Sequence, residues 1–251
     1  MRVKVFITKN YFSQFEEEKN ILISKAFVDI ETGVYTSDKI PVVKYMIFKN
    51  SLEKFISQYS AGLNLNELKS EYEKLVNIMV EGWDEYLVKF KMGRPQIVYN
   101  QYSLNEYCYM VWMLSFSILL NIEQTYKDKL ISLIKRDKIS DELIIKLANI
   151  DIFPISKCTY KPFKDLFAGN DFLKIDEKLI KKYLINWDKN TKLLQWHKYK
   201  DSIAKSSYYF GTWCFEAAAV AIIYNLDDSN FRSIEYYPSD LVDFFKSNQL
   251  D

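Results

Sequence analysis

Turn-forming residues are scarce in this sequence. It holds 6 Gly and 5 Pro in 251 positions, where average usage would supply roughly 30. A many-stranded sandwich or barrel needs a turn every few residues, so that class is excluded, together with collagen-like and Gly-rich linker chains. Hydrophobic residues make up 49% and aromatics 16%. That is enough apolar surface to offset the entropy of folding, which excludes a disordered chain. What remains is an all-α protein. We expect a two-part bundle of antiparallel helices, residues 1–150 and 151–251, with one mostly buried apolar helix in each part. The stretch 151–169, with Pro154, Pro162 and Gly169, is the expected boundary.

Hydrophobic spacing places the helices. Phe12, Phe15, Leu22, Ala26 and Ile30 form a stripe over 11–31. A second helix is expected over 38–60, with Pro41 in its first turn and Gly62 as its stop. Asn64 and Glu67 have the capping-box spacing. Leu68, Tyr72, Leu75, Met79, Trp83, Tyr86 and Phe90 then predict a helix running to about residue 91, closed by Gly93 and Pro95. Ser103 and Glu106 repeat the capping-box spacing before a helix to Ile122 that is apolar nearly all round. Shorter helices are expected over 124–137, 140–150 and from Asp176 past Trp187. A second all-apolar helix is expected over 208–226, and a last one from Pro238 to Lys246. Val3–Ile7 alternates as a short strand would.

Net charge is +1, from 34 basic and 33 acidic residues, so the whole chain has no charge-based case for binding nucleic acid or membrane. The balance hides an asymmetry. Residues 124–200 carry 17 basic and 10 acidic groups, net +7, and residues 211–251 carry 2 and 7, net −5. An acidic end suits a basic partner. The three cysteines, Cys108, Cys158 and Cys214, are odd in number and widely spaced, which fits a reducing compartment. The N-terminus lacks an apolar signal core. The longest uncharged run, Tyr107 to Ile122, is 16 residues, short of the roughly 20 a span requires. A soluble, cytoplasmic protein is expected.

Catalytic chemistry finds little to work with. One His, His197, is present, and there is no HExxH, phosphate loop, GxSxG or CxxC. A Cys214–His197 dyad would need a thiol activated inside an apolar helix, where thiols are usually inert. The i,i+4 pairs Glu67/Glu71 and Glu81/Glu85 lie on helix faces opposite or flanking the apolar stripe and read as solvated charge rather than metal ligands. We expect no enzyme, cofactor or metal. Glu216 differs: it is the one charge between Lys205 and Asp227. A carboxylate there is either a satisfied buried acid, bonded to Arg232 or a Tyr hydroxyl, or a groove acid that contacts a partner. Tyr236 and Tyr237, beside Asp240, can start a helix or anchor an interface.

Residues 209–221, Tyr-Phe-Gly-Thr-Trp-Cys-Phe-Glu-Ala-Ala-Ala-Val-Ala, precede Leu226-Asp-Asp-Ser-Asn-Phe-Arg232 and Tyr236-Tyr-Pro-Ser-Asp-Leu-Val-Asp243. This series resembles the C-terminal domain of the PoNi immunity proteins, with Thr212 where the family has an aromatic. Tyr59-Ser-Ala-Gly62, Glu67-Leu68 and Tyr72-Glu-Lys-Leu75 resemble the family's N-terminal domain more loosely. The resemblance implies a cytoplasmic antitoxin that binds and neutralises a PoNe-type DNase toxin, protecting the producing cell without catalysis. It implies no direct nucleic-acid or membrane binding, and homodimerisation stays open. The expected partner contacts are Asp227, Asp228, Asp240 and Asp243, with Tyr236 and Tyr237 as anchors and Glu216 and Arg232 in the same motif. A helical scaffold or oligomer with a non-nuclease partner, or a helical enzyme with an unrecognised site, are the alternatives.

Overall fold

The computed structural model describes Arg2 and residues 9–152, 154–158, 160–167, 175–202 and 208–249. The expected strand at Val3–Ile7 and Gly169 of the expected boundary lie outside them. Helices dominate, with a single two-stranded sheet among the described residues, and none of these helices is long and apolar enough to cross a membrane. The chain divides into two compact units, Met1–Val88 with Ser202–Gly211, and Lys89–Asp201 with Thr212–Asp251. By packing, this division falls at 88/89. The cause is that the helices at 104–119 and 215–223, far apart in sequence, pack on each other.

The first unit contains α1 (Lys9–Glu31), α2 (Ile40–Ala61), α3 (Leu65–Gly82) and the single turn α4 (Glu85–Val88). Cross-helix pairs show that successive helices run antiparallel. Glu16 meets Gln58 and Asn20 meets Lys54, while Lys44 meets Glu81 and Phe55 meets Tyr72. The α3 stripe of Leu68, Tyr72, Leu75 and Met79 is buried as its spacing predicts. The Asn64 side chain caps α3 by accepting from the Asn66 amide at 2.9 Å. Gly62, at φ 95°, closes α2 with a Schellman pair of bonds, Leu63 N to Gln58 O and Gly62 N to Tyr59 O, each 3.0 Å.

Two expectations fail here. The α1 stripe stops after Phe15, because Leu22 is 52% exposed. The side of α1 facing α2 is polar in its middle, where Lys19 bonds Asn50 and forms an ion pair with Glu53. Nor does α3 run to residue 91. Gly82 lies against α2 so closely that an added Cβ would sit 2.5 Å from the Lys44 carbonyl oxygen. The backbone then leaves the helix at Trp83, whose buried ring meets Phe48 edge-on at 5.5 Å. Residues 209–210 return to complete this unit. The Tyr11 hydroxyl donates to Tyr209 O and accepts from Tyr209 N, both at 2.9 Å, and the Ser60 hydroxyl donates to Phe210 O at 2.9 Å.

The second unit begins with β1 (Lys89–Met92) and β2 (Ile97–Tyr102), an antiparallel hairpin with Met92 opposite Ile97. Gly93 and Pro95 form its turn instead of ending a helix. Then come α5 (Leu104–Leu119), α6 (Gln124–Arg136), α7 (Glu142–Ala148), α8 (Lys161–Lys164), α9 (Glu177–Asn190), α10 (Phe215–Ile223) and α11 (Ser239–Ser247). The nearly all-apolar α5 is central and touches α6, α7, α10 and α11. Phe116 and Phe215 meet at 4.2 Å between ring centres, and Ala217, Ala218 and Ala219 are fully buried. Ser103 precedes α5 but makes no side-chain cap bond, whereas Asp141 and Asp176 do cap α7 and α9.

The expected 208–226 helix is only 215–223. Gly211, at φ 131°, cannot be helical, and the Cys214 amide bonds Tyr236 O at 2.8 Å instead of an earlier turn. Glycine is rare, so other residues take left-handed positions at helix ends. Asn121, Lys138, Asn149 and Asn225 have φ of 46°, 56°, 51° and 48°. Asn tolerates that region through local side-chain bonding.

Candidate functional site

The motif-bearing segment 212–243 is built on α10, a short helix with small residues on α5, and on the turn-rich stretch that links it to α11. Glu216 is fully buried in the first turn of α10. Its Oε1 accepts from the Tyr183 hydroxyl at 2.8 Å, Trp187 Nε1 at 2.7 Å and the Cys214 thiol at 3.3 Å. Burial pushes its pKa above the ordinary carboxylate range, and these donors offset part of that push. Glu216 thus ties α9 to α10. It is a buried acid held by a tyrosine and not by Arg232, and its Oε2 has no hydrogen-bond partner among the described residues. The expected groove-acid role is corrected because the side chain has no exposed surface.

Past α10, Asp227 is exposed. Its carboxylate accepts from the Ser229 amide at 3.0 Å and hydroxyl at 2.8 Å, which hold its pKa below the ordinary range. Asp228 is 2% exposed and sits between Arg232 Nη1 at 3.3 Å and Lys246 Nζ at 3.5 Å. Arg232 also donates to Asp243 Oδ2 at 2.7 Å. Four expected or neighbouring charges therefore neutralise one another. Tyr237 is buried edge-on against Phe231 at 5.2 Å; burial and then the nearby Asp228 charge raise its pKa strongly.

Tyr236 is half-buried. Its hydroxyl accepts from Lys200 Nζ at 2.9 Å, the same ammonium lies 4.7 Å from its ring centre, and Trp187 flanks it at 5.1 Å. Asp240 is half-buried in the first turn of α11, where the helix dipole favours an acid. The expected set thus separates. Asp227 and Asp243 are exposed, Arg232, Tyr236 and Asp240 are partly so, and Glu216, Asp228 and Tyr237 are interior supports.

Sequence reasoning missed Lys200 and Asp188. Asp188 Oδ1 pairs with Lys200 and receives His197 Nε2 at 3.0 Å. Burial raises the Asp188 pKa, but bonds from Lys200 and His197 outweigh that and leave it lowered. His197 is therefore occupied by Asp188, while the Cys214 thiol faces Glu216 and is pushed up by burial. The dyad weighed from the sequence has both members committed elsewhere. No local signal links Tyr236 to Lys200, 36 residues earlier. Among the described residues, no three His, Cys, Asp or Glu side chains gather as a metal site would need. The partly exposed Tyr236 ring with acids beside it suits recognition of another macromolecule.

Comparison with known proteins bears on what that macromolecule is. Residues 8–132 match the family model for the PoNe immunity protein (PoNi), N-terminal, and residues 135–241 match the model for PoNe immunity proteins (PoNi), C-terminal. Among solved structures, protein PA2201 from Pseudomonas aeruginosa is similar, with a TM-score of 0.66 and 16% identity over 97% of this chain and 90% of that one. This likeness shows the fold. No curated protein matches the chain.

Proposed function

This chain belongs to the PoNe immunity proteins, and from that membership we propose that it binds and neutralises a PoNe-type DNase toxin inside the cell that produces it. The observation that carries this reading is that the N- and C-terminal family models together account for nearly the whole chain, residues 8–132 and 135–241. Inhibition by binding requires no catalytic residue here; it requires a surface complementary to the toxin.

Nucleases bind a polyanion, so their substrate faces are basic. The net −5 of residues 211–251 offers the opposite sign. With Asp228, Arg232, Asp243 and Lys246 paired together, the exposed acids outside that network are Asp227 and Glu235, beside Tyr236, with half-buried Asp240 a few residues on. Such charges speed encounter more than they add affinity.

The test uses the nuclease domain of a PoNe-type toxin from the producing cell, made catalytically inactive. The wild-type chain should bind it and protect DNA from the active form. Reversing Asp227, Glu235 and Asp240 to Lys should slow association by about tenfold and steepen the loss of binding with salt. Unchanged association with an intact fold would remove the acidic contact. A wild-type chain that neither binds nor protects would remove the immunity role itself.

A further inference from the structure

The hairpin β1–β2 is unusual for what it leaves uncovered. Met92 and Ile97 are 57% and 58% exposed, and Phe90, Val98 and Tyr99 are also exposed. Two strands alone are marginally stable in water, and exposed apolar strands are a liability that proteins normally cover or charge. At the base of this hairpin lies a cleft of about 230 Å³. That is smaller than the roughly 300–1,000 Å³ of small-molecule sites, and suits a single long side chain.

Tyr99 links the two features, since it lines the cleft and its ring meets Phe90 at 5.6 Å. Inside the cleft is Asp141, only 8% exposed. Its three donors, the Tyr107 hydroxyl at 2.7 Å, Leu143 N at 3.0 Å and Ile144 N at 3.2 Å, all converge on Oδ1. Oδ2 receives no hydrogen bond from the described residues. This leaves Oδ2 as the acceptor available to a donor from outside. The polar groups of Asn100 and Ser156 and the rings of Tyr99 and Tyr107 also line the space. They suit a cation that carries both hydrogen-bond donors and an alkyl stem. Lys157 stands exposed on the rim, and Lys91 and Arg94 lie toward the hairpin turn, so the negative charge is local to Asp141.

We propose that this cleft receives a lysine or arginine side chain of the toxin, with Asp141 as its counter-charge and the exposed hairpin residues Met92 and Ile97, which pair on one strand face, as the neighbouring apolar contact. The proposal rests on the toxin-binding reading. It adds a surface independent of the acidic residues near α11. The arrangement is that of an interface anchor, a charged group desolvated in a pocket beside an apolar contact that excludes water.

Asp141→Asn separates binding from folding. Its carbonyl oxygen can accept the same three donors, while an amide replaces Oδ2 and repels a cation's hydrogens. Titration calorimetry against the same inactivated nuclease domain should show affinity lowered at least about tenfold, with thermal stability at pH 7.5 no lower than wild type. Lys157→Gln, which removes a competing cation, should raise affinity about two- to fivefold. Ile97→Lys probes the apolar contact at an exposed position and decides the question should Asp141→Asn fail to fold; it too should weaken binding at least about tenfold. If the wild type binds while Asp141→Asn or Ile97→Lys binds equally well in a folded protein, the cleft is overturned and the immunity role stands. If the wild type does not bind, both fall.

Discussion

The first unit buries no carboxylate among its described residues, whereas the second buries four, Asp137, Asp141, Glu216 and Asp228. The contrast follows helix length. In the first unit α1, α2 and α3 run 23, 22 and 18 residues. Helices that long satisfy their own backbones and need only an apolar stripe to associate. In the second unit, short helices alternate with extended segments and single turns, which need other acceptors. The buried acids tie such segments together through side-chain donors, and Asp141 through backbone amides as well. Asp137 receives the Tyr102 hydroxyl at 2.9 Å, joining β2 to the end of α6. Asp141 joins α5 to the α7 cap, and Glu216 joins α9 to α10. Irregular chain is held by polar keystones and regular chain by packing.

The largest effect should come from removing a keystone. Glu216→Ala leaves the Trp187 donor unpaired in the interior, with only Pro162 O left to the Tyr183 hydroxyl, and should cost about 3–5 kcal/mol in urea unfolding. Glu216→Gln, which keeps an acceptor, should cost much less. Equal losses would mean that the charge and not the acceptor matters.

Next is a pH effect confined to the second unit. The Asp141 pKa is raised to about 6 by burial, against 3.8 for the ordinary group, although the Tyr107 bond opposes the rise. The folded state thus binds a proton that the unfolded state has lost. Stability from this group is full below about pH 3.8 and is lost as pH rises through 6, by up to about 3 kcal/mol. The stability of Asp141→Asn relative to wild type should therefore climb between pH 4 and 6 and level off above 7. A flat difference would show that the carboxyl is not desolvated.

The first unit should answer to volume instead. Gly82→Ala places a Cβ 2.5 Å from the Lys44 carbonyl oxygen and should lower stability by about 2 kcal/mol, by overpacking between α2 and α3. Smaller still, Asn64→Ala removes the α3 cap and should cost about 1 kcal/mol. If neither change moves the thermal midpoint while Glu216→Ala does, the first unit is held by something other than close helix packing.

The same contrast explains what was legible in the sequence. The α2 and α3 stripes and the Asn64 cap were plain, because long amphipathic helices write their burial into spacing. Tyr86 and Phe90 extended the α3 spacing by coincidence, so the hairpin was hidden, with only Gly93 and Pro95 to mark its turn. Leu22 was misplaced because Lys19 and Glu53, not an apolar pair, occupy the α1–α2 seam. Glu216 was recognisable as a costly charge, since it stands alone in an apolar run. Its partners were not, because Tyr183 and Trp187 lie 33 and 29 residues away. Asp141 fell inside the helix expected over 140–150, and nothing local announced the cleft beside it. The surface acids Asp227 and Asp243 were expected, but the pairing of Asp243 through Arg232 to Asp228 depends on a fold that brings α11 back to the turn.

The return of Tyr209 and Phe210 to the first unit also sets a schedule for synthesis. The first 88 residues leave the ribosome well before the segment that bonds Tyr11 and Ser60 has been made. At about 5–20 residues per second, that wait is on the order of 10 s. During it the nascent three-helix unit lacks its final piece, and α1 is the element left least secured. A chain terminated before residue 208 would hold that unfinished state permanently, as a natural target for cellular proteases.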